Sequence, residues 1–82
     1  MPASSPDAAA LGRAVQAIRA EVGISQVQLS DKTGLMQSWI SHIEHGRRNP
    51  TWSNIVRLAE GLGVGVAELA ARAEACAQQY DE

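Results

Sequence analysis

At 82 residues, the chain has room for one small domain, and its hydrophobic fraction of 45% is enough to build a single core. Only 4% of the residues are aromatic and phenylalanine is absent, so we expect a core of Leu, Ile, Val and Ala, which favours helices. The formal net charge of -2 counts against nucleic-acid binding, because DNA-binding proteins usually carry a basic patch.

The distribution of charge matters more than the total. Acidic residues gather towards the C-terminus, at Glu68, Glu74, Asp81 and Glu82. Arg47 and Arg48, in contrast, stand side by side in the middle of the chain. We therefore expect a local positive field around these two arginines, although the whole chain is acidic.

The single cysteine and the hydropathy of the chain indicate the cellular compartment in which we expect the protein. Cys76 has no second cysteine to pair with, so no internal disulfide can form, and a reducing cytoplasm is the expected setting. No apolar run approaches the ~20 residues of a membrane span. The first residues lack the basic start and apolar stretch of a signal peptide. We expect a cytoplasmic protein without a membrane partner.

The N-terminal part predicts a short flexible tail and then a long helix. Residues 1–5 are small and polar and form the expected tail. Ser5 is the predicted cap, with Pro6 in the first turn and Asp7 near the positive end of the helix dipole. Gly23 is the expected end. The apolar stripe of this helix consists of Leu11, Ala14, Val15, Ile18 and Val22.

Two short helices are predicted next, joined by a tight turn. Ser25 can cap the first of them with its side-chain oxygen. Gly34 can supply the positive φ that a sharp turn between helices needs. The third helix is predicted over Gln37–His45 and ends at Gly46. The apolar members of the second helix are Val27 and Leu29.

Two more helices complete the predicted all-α fold of five helices around one core. Thr51 is the expected cap of the fourth, after a loop that Pro50 stiffens. Glycines 61, 63 and 65 mark its end, and the fifth helix follows over residues 66–79. The predicted buried face of the fourth helix consists of Trp52, Ile55, Val56, Leu58, Ala59 and Leu62. That of the fifth consists of Val66, Leu69, Ala70, Ala73 and Ala77.

Residues of the third helix separate onto two sides at about 100° per residue. Ile40, Ile43 and Glu44 share the side that we expect to pack on the core. Amide and hydroxyl groups on the other side are able to reach base edges, and an amide can bond adenine bidentately. A solvated helix surface is the alternative interpretation. This polar side carries Ser38, Ser41, His42 and His45, with Gln37 and Trp39 on its flanks.

A series of short motifs extends from Leu11 to Leu69. Its segments are LG-x-x-x-x-x-I-R from Leu11, G-I-S-Q from Gly23, I-S-x-I-E-x-G from Ile40, N-P-T from Asn49 and L-A-x-x-L-G-V from Leu58. This pattern resembles the helix-turn-helix domain of the XRE family, the phage-repressor-like regulators. The resemblance implies a five-helix phage-repressor-like fold and a sequence-specific, DNA-binding transcriptional regulator.

The resemblance also implies roles for individual residues of the third helix. Gln37, Ser38 and His42 match base-reading positions, and Ser41 shares their face. Met36 stands where relatives usually have Ser or Thr, which cap the helix and contact the DNA backbone. The methionine predicts a weaker helix start, although it can touch a thymine methyl group.

Phosphate contacts are expected around the same helix. Gln26 matches a glutamine that in relatives clamps a phosphate or supports a neighbouring base contact. Arg47 and Arg48 are expected at the edge of the groove, with a soluble loop as the alternative. Trp39 either places its indole on the sugar-phosphate backbone or covers the edge of the core.

Arg19 and Glu44 match a buried pair that ties the first helix to the recognition helix, and with Gly34 they form the predicted structural set. His42 and His45 are three residues apart, but no carboxylate or cysteine shares their side of the helix, since Glu44 falls on the opposite side, so we expect neither a metal nor a cofactor. No nucleophile–base–acid grouping is visible, so we expect no enzyme.

The sequence also predicts where the domain ends and what it binds. Residues 6–70 form the predicted helix-turn-helix domain, and 71–82 form a helix extension with an acidic tail that serves dimerisation. The expected partner is double-stranded DNA, bound by a homodimer on a palindromic site. The alternative is a protein-binding module that uses the same fold to hold a toxin or another regulator. Cys76 is expected to be a small buried residue and Trp52 to pack in the core or against a loop.

Overall fold

A computed structural model describes residues 6–78, which form five helices and no strand. The all-α prediction is therefore confirmed. The predicted tail 1–5, with its cap Ser5, and the acidic end at 79–82 lie outside the described residues. None of the helices within 6–78 has the length and apolar character needed to cross a membrane. The helices are α1 Pro6–Val22, α2 Gln26–Thr33, α3 Gln37–Glu44, α4 Trp52–Leu62 and α5 Val66–Gln78.

Local capping defines the helix limits. The Ser25 side chain accepts from the Gln28 N–H at 3.0 Å, and the Gln28 side chain accepts from the Ser25 N–H at 2.8 Å, a reciprocal capping box. Gly34 ends α2 with φ +77, and its N–H donates to the Ser30 carbonyl. The Thr51 side chain caps α4 at 3.3 Å from the Asn54 nitrogen. These caps confirm the predicted starts and the predicted turn.

One core joins all five helices. It is aliphatic, as the composition predicts, because the largest buried side chains are isoleucines, leucines and a valine. α1 and α3 contribute two of them each, α4 contributes two, and α2 and α5 contribute one each. They are Val15, Ile18, Leu29, Ile40, Ile43, Leu58, Leu62 and Leu69.

The prediction that Trp52 packs in the core or against a loop is wrong, because 66% of this residue is exposed. Burial increases along α4, from the half-buried Ile55 and Val56 to the buried Leu58. Trp52, the first residue of α4, is therefore left uncovered, while Ile55 three residues later packs against the core. Val22 in the last turn of α1, also a member of a predicted apolar stripe, is exposed as well.

α1 crosses the end of α3 at backbone contact. A Cβ atom on Gly12 would lie 2.3 Å from the Ile43 carbonyl oxygen, so only glycine fits. α3 ends at Glu44, one residue earlier than predicted, and His45 is its C-cap. α5 packs along α1, and the half-buried Arg72 and the exposed Glu21 join the two helices by an ion pair. The boundary predicted between residues 70 and 71 falls inside the continuous α5.

Candidate nucleic-acid interface

α3 buries one side and leaves the other uncovered. Ile40, Ile43 and Glu44 are buried, as the helical arrangement predicts. The opposite side faces away from the core, with Gln37 and Ser38 exposed. Ser41 and His42 are half-buried on the same side. The four side chains predicted to read bases therefore share a surface that another molecule can reach.

An ion pair ties α1 to the buried side of α3. Arg19 Nε donates to Glu44 Oε2 at 2.7 Å, and Arg19 Nη2 donates to Glu44 Oε1 at 3.1 Å. The Glu44 side chain is 0% exposed and that of Arg19 is 20% exposed. The hydrogen bonds to Glu44 raise the pKa of Arg19 despite its partial burial. Arg19 Nη1 also donates to the Ile24 carbonyl, which fixes the loop before α2.

Gln26 extends this pair to the exposed surface. Its Nε2 donates to Glu44 Oε1 at 2.8 Å, and its Oε1 accepts from Gln37 Nε2 at 3.3 Å. The structure thus brings together a predicted phosphate-binding residue, a predicted structural residue and a predicted base-reading residue. The contact between Gln26 and Glu44 is absent from the sequence predictions, because 18 residues separate the two in the chain.

The turn between α2 and α3 is fixed by two hydroxyl side chains that sequence reasoning missed. Ser30 Oγ donates to the Leu35 carbonyl. Thr33 Oγ1 donates to the Leu29 carbonyl at 2.8 Å and accepts from the Leu35 N–H at 3.2 Å. With Gly34 in the left-handed conformation, these bonds satisfy the turn backbone and set the angle between the helices. Ser and Thr beside a turn glycine are the sequence signal for them.

Met36 occupies the N-cap position of α3 and makes no side-chain capping hydrogen bond, as the absence of Ser or Thr at this position predicts. Its side chain is 71% exposed. The first N–H groups of a helix lack partners within that helix. An exposed start of α3 can therefore accept an anionic group.

Trp39 is half-buried and packs against the core, in agreement with the second of its two predicted placements. Arg47 and Arg48 are exposed in the loop after α3. The Arg47 N–H donates to the His42 carbonyl at 2.9 Å, which holds this loop against the helix. Both guanidinium groups are thus free to extend from a fixed backbone beside the exposed side of α3.

His42 and His45 do not join a larger ligand cluster. Within residues 6–78, no three His, Cys, Asp or Glu side chains are grouped so that they could hold a metal ion. Nδ1 of the exposed His45 lies 2.8 Å from the Ser41 carbonyl oxygen. Since a carbonyl only accepts, Nδ1 carries the proton of this bond. Cys76 is half-buried on α5 rather than fully buried.

Two known regulators are similar in sequence to this chain. A family model described as "Helix-turn-helix domain" matches residues 10–71. An uncharacterised HTH-type transcriptional regulator of Sinorhizobium fredii is 40% identical over 52 residues, 63% of this chain and 68% of that protein. The immunity repressor protein of Bacillus phage phi105 is 37% identical over 59 residues, 72% of this chain and 41% of the repressor. This chain therefore spans less than half of that repressor.

Two restriction-modification controller proteins of known structure also resemble this chain. The restriction-modification controller protein C.AhdI of Aeromonas hydrophila has a TM-score of 0.77 and 32% identity, over 79% of this chain and 98% of its own. The controller protein C.Esp1396I, solved as a tetramer in complex with its natural 35-base-pair operator, has a TM-score of 0.84 and 26% identity. That likeness covers 90% of this chain and 97% of the controller chain.

Proposed function

Since this chain belongs to the phage-repressor-like helix-turn-helix family of transcription regulators, we propose that α3 lies in the DNA major groove and reads base edges. The observation that carries this proposal is the division of α3 into a buried apolar side and an uncovered polar side. A helix with its side chains is about 10–12 Å across, and the major groove is about 12 Å wide. The proposed base-reading residues are Gln37, Ser38, Ser41 and His42.

The residues around α3 are proposed to contact DNA phosphates on both sides of the groove. Arg47 and Arg48 supply positive charge directly after α3, so the overall charge of -2 does not describe this surface. Each phosphate that a cation neutralises releases counterions, which makes affinity depend on salt. The proposed phosphate-contacting residues are Gln26, Met36, Arg47 and Arg48, whereas the half-buried Trp39 packs against the core.

A homodimer on a palindromic site is the proposed assembly. The eight residues of α3 extend about 12 Å, which corresponds to only three or four base pairs. Two copies with recognition helices about 34 Å apart would read twice as many base pairs. The small residues of α5 allow a second helix to approach closely, and the controller protein solved with its operator is a tetramer. The exposed small residues are Ala67, Ala70, Ala71 and Ala75.

Selection of bound sites from random DNA, followed by sequencing, tests this function. We expect enrichment of an inverted repeat whose half-sites are about 10–10.5 base pairs apart, centre to centre. Gln37→Ala and His42→Ala should relax preference at individual positions, because each removes a base contact. Selection that enriches no sequence would contradict the proposal. A chain that also retards no DNA at low salt, yet co-purifies with a stable partner, would instead be a protein-binding module.

A further inference from the structure

Glu44 is buried, yet one glutamine connects it to the start of the reading surface. Its Oε1 accepts from both Arg19 Nη2 and Gln26 Nε2, at 3.1 and 2.8 Å. Gln26 Oε1 accepts in turn from Gln37 Nε2 at 3.3 Å. A continuous chain of hydrogen bonds therefore runs from a buried carboxylate to an exposed amide.

The order of donors and acceptors along this chain follows from its buried end. A carboxylate paired with Arg19 offers only acceptors, so Gln26 must turn its N–H2 group towards Glu44. The oxygen of Gln26 then faces Gln37, and only the N–H2 group of Gln37 can bond it. Gln37 keeps one N–H and its carbonyl oxygen free to face outward.

We propose that Glu44 is a positioning residue that makes Gln37 prefer adenine over guanine, an inference that rests on the proposed DNA-reading function. Adenine presents an acceptor at N7 and a donor at N6 in the major groove, which match the free N–H and oxygen of Gln37. Guanine presents acceptors at both N7 and O6, so its O6 would meet the Gln37 oxygen without a proton between them. Base preference thus depends on a side chain that never touches DNA.

Two substitutions disturb the chain at different points. In Glu44→Gln, the new amide has one acceptor oxygen where the carboxylate had two, so it no longer requires Gln26 to donate to it. When its N–H2 group takes the place of Oε1, Gln26 must turn its oxygen towards residue 44. This reverses the chain and frees both N–H groups of Gln37 for guanine. Gln26→Met interrupts the chain but keeps the pair between Arg19 and Glu44, so its fold should be retained. Gln16→Met makes the same change on the exposed side of α1 and serves as the control.

The experiment is competition binding with versions of the selected site that carry each of the four bases at one position. The position is the one whose preference Gln37→Ala relaxes, and thermal unfolding by circular dichroism reports the fold of every variant. We expect wild type to prefer adenine over guanine by about tenfold. Glu44→Gln and Gln26→Met should each lower this ratio several-fold. Gln16→Met should leave it unchanged.

The outcomes separate this inference from the function on which it rests. If wild type selects a site and Gln37→Ala relaxes it, but folded Gln26→Met and Glu44→Gln keep the full adenine preference, the inference is overturned and the function stands. A wild-type preference for another base at this position also overturns it. If wild type selects no site, both fail. If Glu44→Gln does not fold, Gln26→Met decides alone.

Discussion

Gly12 is where α1 passes closest to the end of α3, and Gly12→Ala tests this contact. A Cβ atom at this position would lie 2.3 Å from the Ile43 carbonyl oxygen and 2.7 Å from that of Glu44. Both oxygens belong to the backbone, so no side chain can rotate away. The added methyl group must separate the two helices or displace the last turn of α3.

The structure sets the size of the expected effect. Ordinary van der Waals contact begins at 3.4 Å, so the gap at Ile43 must widen by about 1 Å. Overpacking usually costs about 1–3 kcal/mol, and we expect about 2–3 kcal/mol here because backbone cannot yield easily. A chain of this length has a free energy of unfolding of about 4–12 kcal/mol. The expected loss corresponds to a decrease of about 10–20 °C in the melting temperature.

Thermal and urea unfolding, followed by far-ultraviolet circular dichroism, measures this loss. Gly65→Ala is the matched control, because a Cβ atom there meets nothing within 4 Å. We expect this control to cost less than about 1 kcal/mol, since it changes only the residue before α5. If Gly12→Ala unfolds no more easily than Gly65→Ala, the close packing of α1 on α3 is wrong.

Three further predictions concern a cap, a phosphate contact and a surface ion pair. Ser25→Ala removes the capping box of α2 and should cost about 1 kcal/mol in urea unfolding, whereas Ser53→Ala on the exposed side of α4 should cost less than about 0.5 kcal/mol. Equal costs would argue against the cap. Arg47→Ala should weaken binding to selected and random DNA alike and reduce the slope of log K against log salt by about 0.9. A loss confined to the selected site would contradict a phosphate contact. The hydrogen bonds from Arg72 lower the pKa of Glu21, so this pair stabilises the fold above the unfolded-state pKa and loses that effect as pH falls through the folded-state pKa. In an NMR titration, the Glu21 midpoint should rise towards its ordinary value in Arg72→Met, and an unchanged midpoint would argue against the ion pair in solution.

The limits of α2 and the start of α4 could be predicted from the sequence, because each depends on residues next to it. Ser25 and Thr51 accept from N–H groups three residues ahead. Gly34 takes the left-handed conformation that ends α2. The buried side of α3 was equally accessible to prediction, since helical periodicity alone brings Ile40 and Ile43 together.

Trp52 shows where periodicity fails. It lies on the apolar side of α4, as its spacing from Val56 and Ala59 predicts. Periodicity defines a side of a helix, but it does not show how far along that helix the core extends. Only the packed structure reveals that Trp52, at the start of α4, is uncovered.

The contact of Gln26 with Glu44 depends on the angle between α2 and α3. That angle is set by the turn, where Ser30 and Thr33 bond the backbone. Helical periodicity describes each helix alone and carries no information about such an angle. The family resemblance indicated that Gln26 supports a base contact, but the buried carboxylate that orients it emerged only from the structure.

The major-groove placement of Gln37 is tested most directly by DNA in which single atoms are replaced. In the selected site, 7-deazaadenine removes the N7 acceptor from the major groove, and 3-deazaadenine removes an acceptor from the minor groove. At the position that Gln37 reads, the first replacement should weaken wild-type binding about tenfold and Gln37→Ala binding little, while the second leaves both unchanged. Equal losses for wild type and Gln37→Ala, or a loss caused only by 3-deazaadenine, would contradict reading of the major groove by α3.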